Sequence, residues 1–129
     1  MPLTKLHVPH SLASETCRSI GDALHSSLVD TCGVNPDDNF CLVSRYAPDE
    51  SIIHPTFLGK RDISSTIVVE ITLLSGRSDD QKEAFYKDFR ERLRKIGFEP
   101  QNSIVFLTEN TAIDWSFSEA GSVKSVLGL

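Results

Sequence analysis

GVNPDDNFCLV (residues 33–43) and GFEPQNSIVFL (residues 97–107) share one pattern: a glycine, a proline three residues later, and then an apolar run. A glycine at this point favours the left-handed conformation that ends a helix, and a proline shortly beyond it prevents the helix from continuing. The match extends upstream without a gap, since SLASETC (residues 11–17) lies over SGRSDDQ (residues 75–81). The sequence therefore predicts a tandem repeat.

Each repeat predicts a strand, a helix and a second strand. Ser14 and Ser78 are the predicted N-caps of the two helices, because serine side chains accept hydrogen bonds from the first free N–H groups. The second helix opens with a Ser-x-x-Gln capping box. Apolar side chains form one stripe on each helix: Ile20, Leu24 and Leu28 on the first, and Phe85, Phe89, Leu93 and Ile96 on the second.

The strands are predicted from apolar runs on either side of the helices. In the first half they are Leu3–Val8 and Phe40–Tyr46 around the helix Ser14–Cys32, and in the second half STIVVEITLL and SIVFLTEN. STIVVEITLL is nearly continuous in apolar residues, which is typical of a strand covered on both faces.

These elements predict an α/β (α+β) fold with a four-stranded sheet and both helices on one face. We expect one domain over residues 1–129, made of two βαβ halves at about 2–46 and 66–110, with Ala47–Ser65 as the connector. The face of the sheet without helices looks apolar and must be buried elsewhere, so the sequence predicts an oligomer.

Composition restricts the function. A net charge of −5 and a pI near 5.3 argue against binding to nucleic acid or to an anionic membrane. No apolar run is long enough for a transmembrane helix. Three cysteines without a C-x-x-C pair suit a reducing compartment, and a cytoplasmic protein is expected. The four histidines show no metal spacing, and no metal or organic cofactor is indicated.

Several motifs together resemble the tautomerase superfamily, and within it the malonate semialdehyde decarboxylases. They are a proline at position 2, the turn Pro36-Asp37-Asp38, the string GRSDDQK that opens the second helix, and the string ENTAIDWSF at residues 109–117. The resemblance covers the chain from Pro2 to about Phe117. It implies a cofactor-independent enzyme that forms a homotrimer around a threefold axis, with the uncovered sheet faces inside.

The resemblance also implies the site residues. Once Met1 is removed, Pro2 carries a free secondary amine, which can act as a general acid or base near neutral pH. Arg77 corresponds to the arginine that holds the substrate carboxylate, and Asp38 to the aspartate associated with water activation or with keeping the proline protonated. Taken from the residues alone, Arg77 is also consistent with an exposed charge, and Asp38 with an ordinary turn.

Two further features bear on the substrate. Trp115 and Phe117 correspond to an apolar wall of the family's site, although a plug in the core is the alternative reading. The decarboxylase pattern has a second arginine where this chain has Ser75. Arg45 and Arg61 are the candidates to replace that missing charge.

Two functions are therefore open from the sequence. The first is an enzyme that interconverts the keto and enol forms of small oxo acids, with malonate semialdehyde-type decarboxylation as a related activity, because both reactions pass through an enolate. The second is a non-catalytic trimeric binding protein on the same fold, like the cytokine-like members of the superfamily. If Met1 is retained, Pro2 is an amide without basic character, so the state of the amino terminus discriminates between them.

Overall fold

The computed structural model describes all residues, Met1–Leu129, and it contains the predicted strand-helix-strand repeat. Its strands are β1 (Pro2–Pro9), β2 (Cys41–Tyr46), β3 (Ile67–Leu74) and β4 (Ser103–Asn110). Its helices are α1 (Ser14–Cys32), α2 (Asp79–Lys95) and a short α3 (Val123–Leu127). Single 3-10 turns lie at Pro48–Glu50, Pro100–Asn102 and Ala112–Asp114. The observed α+β architecture confirms the predicted fold class.

The four strands form one mixed sheet in the order β2-β1-β3-β4. β1 pairs parallel with β2 and antiparallel with β3, and β3 pairs parallel with β4. In this register Pro2 lies opposite Leu73, and Leu73 lies opposite Glu109. The start of β1 therefore meets the ends of β3 and β4 at one end of the sheet, and the loop that leads into β2 lies at the same end.

The core lies between the sheet and the two long helices. Alternate residues of β1 and β3 point toward the helices and are fully buried, as expected for strands with one face on a core. The stripe residues Ile20, Leu24, Leu28, Phe85, Phe89 and Leu93 join them in one cluster. Their common burial confirms that both helices cover the same face.

The repeat is offset by one residue from the gapless match. The residue before α1 is Ala13 and the residue before α2 is Ser78, which are 65 positions apart, whereas the glycines that follow the helices are 64 apart. Ser78 caps α2 as predicted, accepting the Gln81 N–H at 3.2 Å. The prediction of Ser14 as an N-cap is wrong, because Ser14 is already helical. Its hydroxyl instead accepts a hydrogen bond from Arg45 at 3.3 Å.

The ends of the two helices also differ, because α1 continues up to the residue before its glycine and α2 ends one residue earlier. Gly33 and Gly97 have φ values of 66° and 83°, so both adopt the predicted left-handed conformation. Ile96, which was expected in the buried stripe, is 43% exposed because α2 ends at Lys95 and Ile96 has left the helix. Phe98 packs against the core from the following turn.

The sheet face opposite the helices is mixed in character. On β3 it presents Val68 and Leu74 together with Glu70 and Thr72, so this face is only partly apolar, less so than the sequence suggested. His7 bridges two neighbouring strands there, with its ring nitrogens 3.3 Å from the Glu70 carboxylate and 2.7 Å from the Tyr46 hydroxyl. Exposed apolar side chains remain on the same face, including Leu42 at 57% exposure.

No helix has the length and hydropathy that crossing a membrane requires.

Candidate active site

A cavity of about 620 Å³ lies at the end of the sheet where β1 begins and β3 ends. Carboxylates and a guanidinium line one side of it, and apolar side chains line the rest. The polar lining residues are Asn35, Asp37, Asp38, Arg77 and Ser118, and the apolar ones are Met1, Val34, Phe40, Phe117, Val123, Val126 and Leu127. A mostly apolar cleft with a few converging polar groups has the character of a small-molecule site.

The amino terminus forms one wall of this cavity. The Met1 ammonium lies 3.1 Å from Oδ2 of Asp38, and both side chains are more than four-fifths buried. The Met1 carbonyl accepts the Leu74 N–H at 3.3 Å, which extends the pairing of β1 with β3 by one residue. Pro2 follows as a buried residue at the start of β1. The Pro2 nitrogen is one residue along the chain from the Met1 nitrogen that Asp38 contacts, a separation of at most about 3.8 Å.

The loop after α1 presents Asp38. Gly33 ends the helix, and the side-chain oxygen of Asn35 then accepts the Asp37 N–H at 2.9 Å. The Asn35 carbonyl accepts the Asp38 N–H at 2.9 Å. This is the ordinary turn chemistry that the sequence suggested, and it directs Asp38 into the cavity. Being a turn residue and lining a site are therefore compatible here.

Arg77 lines the same cavity and is held by two carbonyl groups. Its Nε donates to the Cys32 carbonyl and its Nη1 to the Leu74 carbonyl, both at 3.1 Å. The third nitrogen, Nη2, makes no hydrogen bond within the chain. Gly76, with φ of 128°, gives the tight turn that brings the following arginine back over the end of the sheet. The result is an anchored guanidinium that has donor capacity left for an anion.

An ion pair lies beside this arginine, and sequence reasoning did not find it. Lys82 Nζ on α2 donates to Oε1 of Glu109 at the end of β4, at 2.6 Å. The lysine holds the pKa of Glu109 below its usual value. The Gly76 amide and the charge of Arg77 lower the pKa of Glu109 in the same direction. Glu109 pairs with Leu73 in the sheet, next to the Leu74 carbonyl that holds Arg77.

The two aromatic residues that follow β4 have different positions. Phe117 lines the cavity and packs against Phe40, with ring centroids 5.3 Å apart. Trp115 stacks on Phe117 at 5.7 Å and does not itself line the cavity. Its indole N–H donates to the Asn110 side chain. Trp115 therefore supports the apolar wall from behind.

The short helix α3 is a part of the cavity wall that sequence reasoning missed. The Ser122 hydroxyl caps it by accepting the Ser125 N–H at 3.2 Å. Val123, Val126 and Leu127 then face the cavity. A serine followed by apolar residues at spacings of three and four was the available signal, in a stretch too short for periodicity to be decisive.

Neither Arg45 nor Arg61 lines this cavity, so neither replaces the arginine for which this chain has Ser75. Arg45 Nη1 donates to the Leu12 carbonyl near the start of α1. Arg61 Nη2 donates to the Phe57 carbonyl at 2.8 Å, and Arg61 lines a larger cleft of about 900 Å³ at the opposite end of the sheet. That cleft contains none of the predicted catalytic residues. Arg77 is the only arginine that lines the candidate site.

Comparison with known proteins defines the class. The family described as "Tautomerase enzyme" matches residues 38–118, more than half of the chain, so the chain belongs to the tautomerase family. It is 25% identical over 118 residues to the probable tautomerase YusQ of Bacillus subtilis (strain 168), covering 91% of this chain and 93% of that protein.

Solved structures agree with this class. Malonate semialdehyde decarboxylase, solved as wild type, mutant and inactivated form with reference to its decarboxylase and hydratase activities, superposes with a TM-score of 0.86. It is 32% identical, over 98% of this chain and 97% of that one. A fused 4-OT described as a symmetric trimer shares the fold at 16% identity, with a TM-score of 0.77 over 96% and 98% of the two chains.

Proposed function

We propose that this protein is a cofactor-independent tautomerase that uses the amine of Pro2, exposed by removal of Met1, as general acid or base on small oxo acids. The observation that carries the proposal is the convergence of the amino terminus, Asp38 and Arg77 on one largely apolar cavity. Membership of the tautomerase family supports the reaction class. The apolar wall supports substrates with a hydrophobic substituent, such as an arylenolpyruvate.

Each polar group has a role in this proposal. Arg77 holds the substrate carboxylate through its free Nη2, while its bonds to the Cys32 and Leu74 carbonyls keep it in place. The neutral amine of Pro2 takes the proton of the enol hydroxyl and delivers a proton to the neighbouring carbon, which produces the oxo acid. Asp38 contacts the Met1 ammonium here and lines a small cavity together with Pro2. After removal of Met1, its charge would favour the protonated state of the Pro2 amine between these two transfers.

Decarboxylation of malonate semialdehyde is a related activity of the same site. The protonated amine would polarise the aldehyde oxygen, the bond to the carboxylate would break with release of CO₂, and the electron pair would form an enolate that is then protonated. The likeness to malonate semialdehyde decarboxylase favours this activity. Ser75 in place of the second arginine leaves Arg77 as the single guanidinium for the small substrate, so we propose tautomerisation of a larger enol as the better reaction.

The test begins with the amino terminus. The intact mass of protein from its native host shows whether Met1 is removed. In the processed protein, Pro2→Ala should lower turnover of an arylenolpyruvate by about 10²- to 10⁴-fold, the usual contribution of general acid–base catalysis. The circular dichroism spectrum should not change. Unchanged turnover would refute the role of Pro2. Retention of Met1 with binding but no turnover would favour the alternative, a non-catalytic binding protein.

We further propose a homotrimer. Part of the uncovered sheet face and the connector carry exposed apolar side chains, including Phe106 at 44%, Phe57 at 67% and Leu58 at 90% exposure, which a partner chain would bury. Light scattering at micromolar concentration should give three times the chain mass of 14.3 kDa. A single species of 14.3 kDa would contradict this assembly. The three unpaired cysteines favour a cytoplasmic location.

A further inference from the structure

The Lys82–Glu109 pair connects α2 with the end of β4 directly beside the turn that carries Arg77. Glu109 points to the helix side of the sheet, where Lys82 Nζ meets its carboxylate at 2.6 Å. The side chains are 23% and 33% exposed, so the pair is partly open to solvent. The next residue, Asn110, accepts the Ser75 N–H at 2.8 Å through its carbonyl. The end of β4 therefore contacts the turn that carries Arg77 through a backbone hydrogen bond, and the charged side chain of Glu109 lies next to this contact.

Glu109 is a potential competitor for the guanidinium. Nη2 of Arg77 has no partner in the chain, and a carboxylate is the acceptor that a guanidinium binds best. Glu109 pairs with Leu73 in the sheet, next to the Leu74 carbonyl that holds Arg77, yet its hydrogen bond goes to Lys82 instead. A carboxylate tethered next to a cation acts at a high effective concentration, so it would compete strongly with a free substrate.

We infer that Lys82 acts as a positioning residue, because its ion pair with Glu109 keeps that carboxylate off Arg77 and leaves the guanidinium available for a substrate carboxylate. This inference rests on the proposed function of Arg77 as the anion-binding residue. It adds a pair of residues, on α2 and β4, that sets the affinity of the site without touching the substrate. Lys82 acts on substrate affinity, and the proton transfers at Pro2 do not involve it.

The test measures binding of malonate, a dicarboxylate probe, by calorimetry, together with kcat and KM for an arylenolpyruvate. In Lys82→Gln, Glu109 loses its partner and pairs with Arg77. If this pairing occupies about nine-tenths of the molecules, the apparent Kd for malonate rises about tenfold. KM should rise in parallel while kcat stays the same. A merely structural role of Lys82 would lower the folded fraction and would not separate KM from kcat.

Two double variants distinguish a direct contact between Glu109 and Arg77 from a general effect of net charge. Lys82→Gln with Glu109→Gln removes the competing carboxylate and should restore the parent Kd. Lys82→Gln with Asp79→Asn is the matched control: it has the same net charge, and Asp79 acts on Lys82 through its charge without a hydrogen bond. Its Kd should stay as weak as that of Lys82→Gln alone. Equal rescue by both double variants, or no effect of Lys82→Gln, would overturn the inference.

The binding measurement separates this inference from the proposed function. If malonate affinity follows the expected pattern but the processed parent protein turns over no enol, the proposed reaction fails and the role of Lys82 stands. If the parent turns over the enol while its malonate affinity ignores Lys82, only the inference fails. A processed parent that neither binds malonate nor turns over the enol contradicts both.

Discussion

Replacement of Arg77 by alanine tests both the fold and the site, and the structure separates the two effects. The variant loses hydrogen bonds to the Cys32 and Leu74 carbonyls, each 3.1 Å long. At about 0.5–1.5 kcal/mol net for each bond, the free energy of unfolding should fall by about 1–3 kcal/mol. A charge-assisted hydrogen bond to the substrate carboxylate is lost as well. Its contribution of about 1.5–3 kcal/mol corresponds to a rise in KM of about 10- to 150-fold.

The assay for this prediction combines urea unfolding with steady-state kinetics at a temperature where the variant is fully folded. An arylenolpyruvate and malonate semialdehyde should both show the change, mainly in KM if Arg77 binds ground state and transition state alike. Arg77→Lys should give an intermediate KM, since it keeps the charge but loses the planar fork. Arg18→Ala is the control, because that side chain is 85% exposed and contacts only Asp22. A folded Arg77→Ala protein with the parent KM would show that the carboxylate binds elsewhere.

Three more substitutions have defined outcomes. Ser75→Arg should shift the ratio of kcat/KM values toward malonate semialdehyde decarboxylation, measured on both substrates, and an unchanged ratio would dissociate position 75 from carboxylate binding. Phe117→Ala should raise KM for an arylenolpyruvate by about two- to tenfold, the value of one aromatic contact, and should affect malonate semialdehyde less. Phe89→Ala, at a fully buried site, should lower the free energy of unfolding by about 3–5 kcal/mol in urea titrations, whereas Leu129→Ala, 66% exposed, should change it little.

The features that could be predicted from the sequence depend on local rules. Gly33 ends α1 because the left-handed conformation suits glycine, and Ser78 caps α2 because its hydroxyl reaches the Gln81 N–H three residues later. Such interactions span only a few residues. The periodicity of the apolar stripes and the β-branched runs then fixed which faces are buried, and thus the sheet with both helices on one side.

The features that could not be predicted depend on contacts between distant parts of the chain. Ser14 satisfies the local requirement for an N-cap, but Arg45, which is 31 residues away, takes its hydroxyl. Lys82 and Glu109 are 27 residues apart and meet only because α2 packs over β4. Whether a surface arginine is free or anchored is equally invisible in a sequence, and only the contacts to Cys32 and Leu74 showed that Arg77 keeps one nitrogen unused.

The residues at equivalent positions of the two halves explain why the chain has one candidate site and not two. Up to the start of each helix, equivalent positions are 65 residues apart. The counterpart of Pro2 is therefore Ile67, and the counterpart of Arg77 is Leu12, which packs against the core. After the glycines, the counterpart of Asp38 is Asn102. Asn102 is 93% buried and accepts the Asp62 N–H at 2.8 Å, so it attaches the connector to the sheet.

The pseudo-equivalent end of the sheet thus lacks the amine, the guanidinium and the carboxylate together, and the connector covers part of it. An amine at the first position of a chain can occur only once, because an internal residue has no free amino group. A tandem repeat can therefore repeat the fold within one chain but not the free amine that the proposed reaction requires. In the second half the equivalent position holds the buried Asn102, which attaches the connector, and β3 of that half lies beside Pro2, with Leu73 opposite it, and leads into the turn that carries Arg77.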